Sequence, residues 1–157
     1  MGKFFGIVAG FILGTIVTAV VGWNLMPGLM LHESASPYGV EETVEKIKQS
    51  ALSSGWVVPG IQPLHKSVLK HGGGKLPPVM LINLCQADHA YNILEHDENK
   101  KISVFMPCTI SVYQKSDGKA YIGTMNAGLL GKMFGGHIAV VMDDVAADQQ
   151  SFISFAR

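Results

Sequence analysis

The 157-residue chain has only two cysteines, Cys85 and Cys108, far apart in the sequence. There is no Cys-x-x-Cys, which argues against a thioredoxin-type redox pair, and no Cys-x-x-Cys-His, which argues against covalent c-type haem. Charge is sparse and balanced: 12 Lys and Arg against 12 Asp and Glu give a formal net charge of +0. A neutral chain makes no electrostatic case for nucleic acid as a partner. Internal repeats are absent, and His71-Gly72-Gly73-Gly74-Lys75 is the one low-complexity tract. That tract is not a phosphate loop, because the required spacing and the following Ser or Thr are missing. No Ser/His/Asp order or paired carboxylate stands out, and Asp143 and Asp144 read as a solvated helix face. Nothing here argues for an enzyme.

What the chain does have is one long apolar run, Phe4 to Met26. About 20 apolar residues in a helix cross the hydrocarbon core of a bilayer. Within the run small residues recur every fourth position, at Gly2, Gly6, Gly10, Gly14, Thr18 and Gly22. Such spacing lines one stripe of a helix and lets another backbone approach closely. Glycine costs roughly 1 kcal/mol per residue in a helix interior, so a stripe of it points to a packing face. The reading is a transmembrane anchor (1–27) facing lipid and pressed against another transmembrane helix. That helix is either its own copy in a homodimer or part of a larger membrane complex. Lys3 and the terminal amine precede the span, and Glu33, Glu41 and Glu42 follow it before Lys46. Positive charge stays on the cytoplasmic side. This predicts a single pass through a bacterial inner membrane, N-terminus cytoplasmic and soluble domain periplasmic. Trp23 near the exit suits the interface. A cleaved signal peptide is the rival, but its apolar core spans about 7–15 residues. The small-x-small site Ser34-Ala35-Ser36 is followed by Pro37, which hinders cleavage.

Met26-Pro27-Gly28 is expected to end the helix, and 28–38 to form a tether. The remainder, 39–157, is long enough for one small domain with its own core. Glu41–Ser54 carries Val44, Ile47, Ala51 and Leu52 on one side and reads as a surface amphipathic helix, stopped by Gly55. Trp56-Val57-Val58 starts a strand that Pro59-Gly60 bends or ends, and Leu64–Lys70 forms a short helical turn. Val79–Leu84 is a continuous apolar run, expected as a central strand. Gln86–Glu95 follows as a helix, His96–Lys101 as a polar turn, and Ile102–Met106 as an edge strand or lead-in. Cys108–Gln114 and Ala120–Met125 pair across a Ser116-Asp117-Gly118 hairpin. Roughly His137–Phe155 reads as a long terminal helix, with Ile138, Val141, Met142, Val145, Gln149 and Phe152 at helical spacing. The fold class is α+β: a single transmembrane helix, then a small, mainly antiparallel sheet backed by helices.

Three stretches, Pro78–Leu94, Met106–Asn126 and Lys132–Met142, resemble the bacterial domain-of-unknown-function 302 family. The most specific pieces are Cys85 at its strand end, Met106-Pro107-Cys108 with the Asp117-Gly118 hairpin, and Lys132–Gly136. The likeness covers roughly Gly39 to Val145. It implies a small, often dimeric α+β domain and supplies no established reaction. Anchored members of this kind occur in sulfur-metabolising and chemolithotrophic bacteria, which implies a redox setting.

Cys85 lies where a strand hands over to a helix, a setting that lowers a thiol pKa, and Cys108 opens the next long strand. If those strands are antiparallel neighbours, both sulfurs lie at one edge of the sheet. Three states stay open: a structural disulfide, two buried free thiols, or a functional thiol or metal site. His89 is four residues after Cys85, and Met106 two before Cys108. A Cys, His, Cys and Met set offers soft ligands that favour copper or haem iron. The plainer reading of His89 is a surface or satisfied polar residue. Met26, Met30 and His32 form a second soft cluster, although methionines there suit packing against lipid or a helix. Gly135-Gly136 could present N–H groups to an anion, or simply permit a tight turn. The functional expectation is a periplasmic, non-enzymatic module binding a metal, haem or sulfur species near Cys85, His89, Met106 and Cys108. The alternative is an accessory subunit docked into a respiratory or redox complex by Gly6, Gly10, Gly14, Thr18 and Gly22.

Overall fold

The computed structural model describes residues 2–156. They divide into two compact units, the first ending at Met30 and the second starting at Leu31.

The first unit is a single helix, α1 (Gly2–Met30), of which Gly6–Met30 is long and apolar enough to cross a membrane. Most of its described apolar side chains are exposed, Phe11 at 77 % and Trp23 at 83 %, as a helix solvated by lipid would require. Two polar side chains satisfy themselves on their own backbone. Thr15 Oγ1 donates to the Phe11 carbonyl at 2.9 Å, and Asn24 Nδ2 to that of Val20 at 2.7 Å. Pro27 does not end the helix as expected; it lies inside it. Pro removes one N–H, a loss that membrane helices tolerate, and the chain stays helical for one more turn.

The second unit is a five-stranded antiparallel sheet in the order β1-β5-β4-β3-β2. Its strands are β1 (Leu31–Ala35), β2 (Val57–Pro63), β3 (Val79–Cys85), β4 (Cys108–Gln114) and β5 (Ala120–Met125). The helices are α2 (Val40–Ser53), α3 (Leu64–Lys70), α4 (Ala87–Leu94), α5 (Ala127–Phe134) and α6 (Gly136–Phe152). Alternate residues of the inner strands, Ile82, Leu84, Ile110, Val112 and Ile122, face the core and are at most 1 % exposed. They meet Val44, Ile47 and Ala51 of α2 and the stripe of α6, whose Ile138, Val141, Met142, Val145, Gln149 and Phe152 are all buried.

Three local expectations are corrected and a fourth is resolved. The tether contains β1, which pairs with β5 from Leu31↔Met125 to Ala35↔Tyr121. Glu33 helps hold this edge strand, accepting hydrogen bonds from Tyr113 and from Lys115 Nζ at 2.5 Å. Those two donors lower the Glu33 pKa, and burial with Glu33 as neighbour pushes the Tyr113 hydroxyl up to about 12. Ile102–Met106 is not a strand; a 3₁₀ helix runs from Asp97 to Phe105 and buries only Ile102. Of the two alternatives at Pro59-Gly60 the strand bends and does not end: β2 passes through a bulge between Val57 and Gly60 and runs on to Pro63. Leu52 is half exposed and not part of the buried face of α2.

A fifth helix, α5, was not anticipated, and it packs closely on α6. A Cβ at Gly131 would lie 2.5 Å from Met142 Cβ and 3.2 Å from Ala139 Cα, so only glycine fits this crossing. The chain then reverses through Gly135 (φ 70°) and Gly136 (φ 55°), a left-handed pair that side chains avoid. Gly131→Ala should therefore destabilise the protein by about 1–3 kcal/mol, the usual cost of overpacking. Thermal unfolding of the full chain in detergent checks this; an unchanged midpoint would mean that α5 and α6 do not meet there.

Candidate functional site

β3 and β4 pair in the register Val79↔Tyr113 through Leu84↔Cys108. Cys108 therefore shares the core face with Ile110 and Val112, while Cys85 is the last residue of β3. Gln86 then caps α4, its Oε1 accepting the His89 backbone N–H at 2.7 Å. This places Cys85 just before a helix N-terminus, as anticipated. The two cysteines are free thiols, each half-buried. Burial pushes the Cys108 thiol up from an ordinary 9.0 to about 11, and the neighbouring Cys85 adds to the rise.

Both cysteines line one small apolar cavity of about 30 Å³, together with His89 and Met106. The four residues singled out from spacing alone thus meet around a single space. A water molecule needs roughly 10–15 Å³ of such room, so the cavity suits an ion or a very small molecule. Two further residues of the lining were not anticipated as ligands. Met142 of α6 brings a fourth sulfur, and Trp56 closes one side. The helical stripe that marked Met142 as core is what concealed it.

His89 is held from outside the cavity. Its Nε2 lies 3.7 Å from Asp148 Oδ2, and the same oxygen accepts the Trp56 indole N–H at 2.9 Å. The imidazole packs against Trp56 at 5.8 Å between ring centres, and Trp56 packs edge-on against Phe152 at 5.5 Å. Among the described residues no group of three His, Cys, Asp or Glu could hold a metal ion. Cys85, His89 and Cys108 share the cavity without forming such a group.

The other candidates are dispersed. Outside them, His65 is structural, its Nδ1 accepting the Val79 N–H at 3.1 Å. His32 lies in β1, in a different unit from Met26 and Met30 of α1. Gly135 donates its N–H to the Gly131 carbonyl at 2.9 Å, so it terminates α5. Gly6, Gly10, Gly14, Thr18 and Gly22 are all exposed on α1.

An antiparallel five-stranded sheet backed by helices, with a sulfur-lined cavity at the joint of β3, α4 and β4, defines a small α+β domain. The chain belongs to the family described as domain of unknown function DUF302, matched over residues 32–155. The match begins within β1, so the expected tether is part of the domain. The chain is also similar to a solved structure, an uncharacterized conserved DUF302 protein from Bacillus stearothermophilus. The two share 22 % identity at a TM-score of 0.72, over 82 % of this chain and 98 % of that one, a likeness of fold. No curated protein matches the chain.

The raised Cys108 pKa makes a signed prediction for reduced, chelator-treated protein. Folding favours the neutral thiol, so its contribution is fully present below about pH 9 and is lost as pH rises toward 11. The loss should be on the order of 2 kcal/mol, since one pKa unit is about 1.4 kcal/mol. Denaturant melts of wild type and Cys108→Ser across that range test it. Parallel alkaline declines in the two proteins would contradict it.

Proposed function

We propose that this chain is a membrane-anchored, non-enzymatic module that holds a small soft ligand between Cys85 and Cys108. The observation that carries the reading is the convergence of Cys85, His89, Met106 and Cys108 on one cavity. Its size favours a thiophilic ion or a sulfur species. Haem is many times larger than this space. In this reading α1 is a single-pass anchor in the bacterial inner membrane, with its N-terminus in the cytoplasm and the domain in the periplasm. The charge asymmetry of the flanks supports that orientation, and a periplasmic setting would bring oxidised sulfur and metal ions to the cavity's thiols.

Protein purified gently from native membranes tests the reading by elemental analysis, visible absorption and intact mass. Wild type should carry a bound soft metal or a sulfur adduct that Cys85→Ser and Cys108→Ser lack. A wild type identical to both variants in all three measurements would refute it.

A second reading, that of accessory subunit, is favoured by the glycine stripe. A Cβ added at Gly6, Gly10, Gly14 or Gly22 would meet nothing within 4 Å, so these glycines are not required by packing within α1. A partner helix, from a second copy or a respiratory or redox complex, accounts for them. Gly10→Leu with Gly14→Leu should release the chain from its partners in mild detergent, as judged by co-purification and crosslinking. Undiminished co-purification would show that the stripe is not a docking face.

A further inference from the structure

The cavity's donor set identifies its ligand more closely than the proposal above requires. Four sulfur-bearing side chains line about 30 Å³: the thiols of Cys85 and Cys108 and the thioethers of Met106 and Met142. They come from the end of β3, the residue just after the 3₁₀ segment, the start of β4 and the middle of α6. Among the lining side chains only Gln86, His89 and the Trp56 indole N–H are otherwise polar, the last bound to Asp148, and no carboxylate is present. Gln86 is committed to its helix cap, and His89 faces Asp148 across 3.7 Å. Hard-ion ligands are therefore lacking. The absence of a group of three His, Cys, Asp or Glu among the described residues also removes the basis for a zinc site of the usual kind.

Resting on the reading of this cavity as a soft-ligand site, we infer that it binds a single monovalent copper ion, Cu(I), through Cys85 and Cys108 with thioether support from Met106 and Met142. Thiolate and thioether ligands select Cu(I), whereas Cu(II) takes tetragonal nitrogen and oxygen sets. Cu(I) is satisfied by two or three sulfur donors and needs no water, which matches a small apolar space. Leu84 pairs with Cys108, so Cys85 follows that pair by one residue and both thiols line the same cavity. Binding displaces thiol protons and leaves the copper oxidation state unchanged, so no oxidant or reductant is consumed. His89, oriented by Asp148 and Trp56, borders the site without ligating the ion.

The test is anaerobic titration of the full-length reduced protein in detergent with Cu(I), against a chromophoric Cu(I) chelator. Wild type should take one equivalent. Losing an outer-shell partner alone typically costs 10–100-fold in metal affinity, so Cys85→Ser and Cys108→Ser should each lose more than about 100-fold. Met142→Leu and Met106→Leu keep volume and apolarity, so they guard against unfolding as the cause. Each should weaken binding without changing the thermal midpoint of the metal-free protein. Wild type that leaves all copper on the chelator, or binding that survives both cysteine variants, overturns the inference. The same protein is treated with polysulfide and weighed. A sulfur adduct on Cys85 or Cys108 without copper uptake would sink the copper assignment and leave the broader soft-ligand reading standing, whereas neither adduct nor copper would remove both.

Discussion

The pairing of β3 with β4 is the constraint on which the site depends. Setting Leu84 opposite Cys108 brings two cysteines 23 positions apart to one end of the sheet. Side chains alternate along a strand, so a slip of one residue would turn Cys108 out of the core and expose Ile110 and Val112 with it. The register is thus enforced by the burial of Ile82, Leu84, Ile110 and Val112, each at 0 % exposure. Placing the thiols therefore needs no device beyond the packing that holds the domain together.

Much of the architecture was legible because its periodicity is strong. The apolar run of β3, the alternation of β4 and β5 around Asp117-Gly118, and the stripes of α2 and α6 each pointed to the right element. β1 escaped because Leu31-His32-Glu33-Ser34-Ala35 has no apolar alternation; it is a strand because β5 offers it hydrogen bonds. α5 escaped because Gly128 and Gly131 depress helix propensity, yet Gly131 is what allows the approach to α6. Of the site, Cys85, His89, Met106 and Cys108 could be picked out by residue type and short spacing. Trp56 and Asp148 could not, since their hydrogen bond spans 92 positions. Met142 was visible only as one more core residue.

The two units answer different physical problems. α1 presents apolar side chains on its surface, and its Thr15 and Asn24 bind their own backbone, an economy that a bilayer would impose. The folded domain confines its apolar core beneath one sheet and gathers sulfur at a single joint. Family membership accounts for the fold of residues 32–155 and leaves the chemistry of that joint to be argued from its side chains.

The two rims of the sheet differ in a way that bears on colloidal behaviour. An outermost strand with unpaired amides is a template on which other chains can polymerise. β2 carries Pro59 and Pro63, which have no amide hydrogen to offer, and a bulge that breaks its straight edge. β1, on the opposite rim, has only five residues and bears the carboxylate of Glu33. The domain is therefore poorly suited to stacking into fibres by sheet extension, so it can be held at high local concentration without polymerising through its rims.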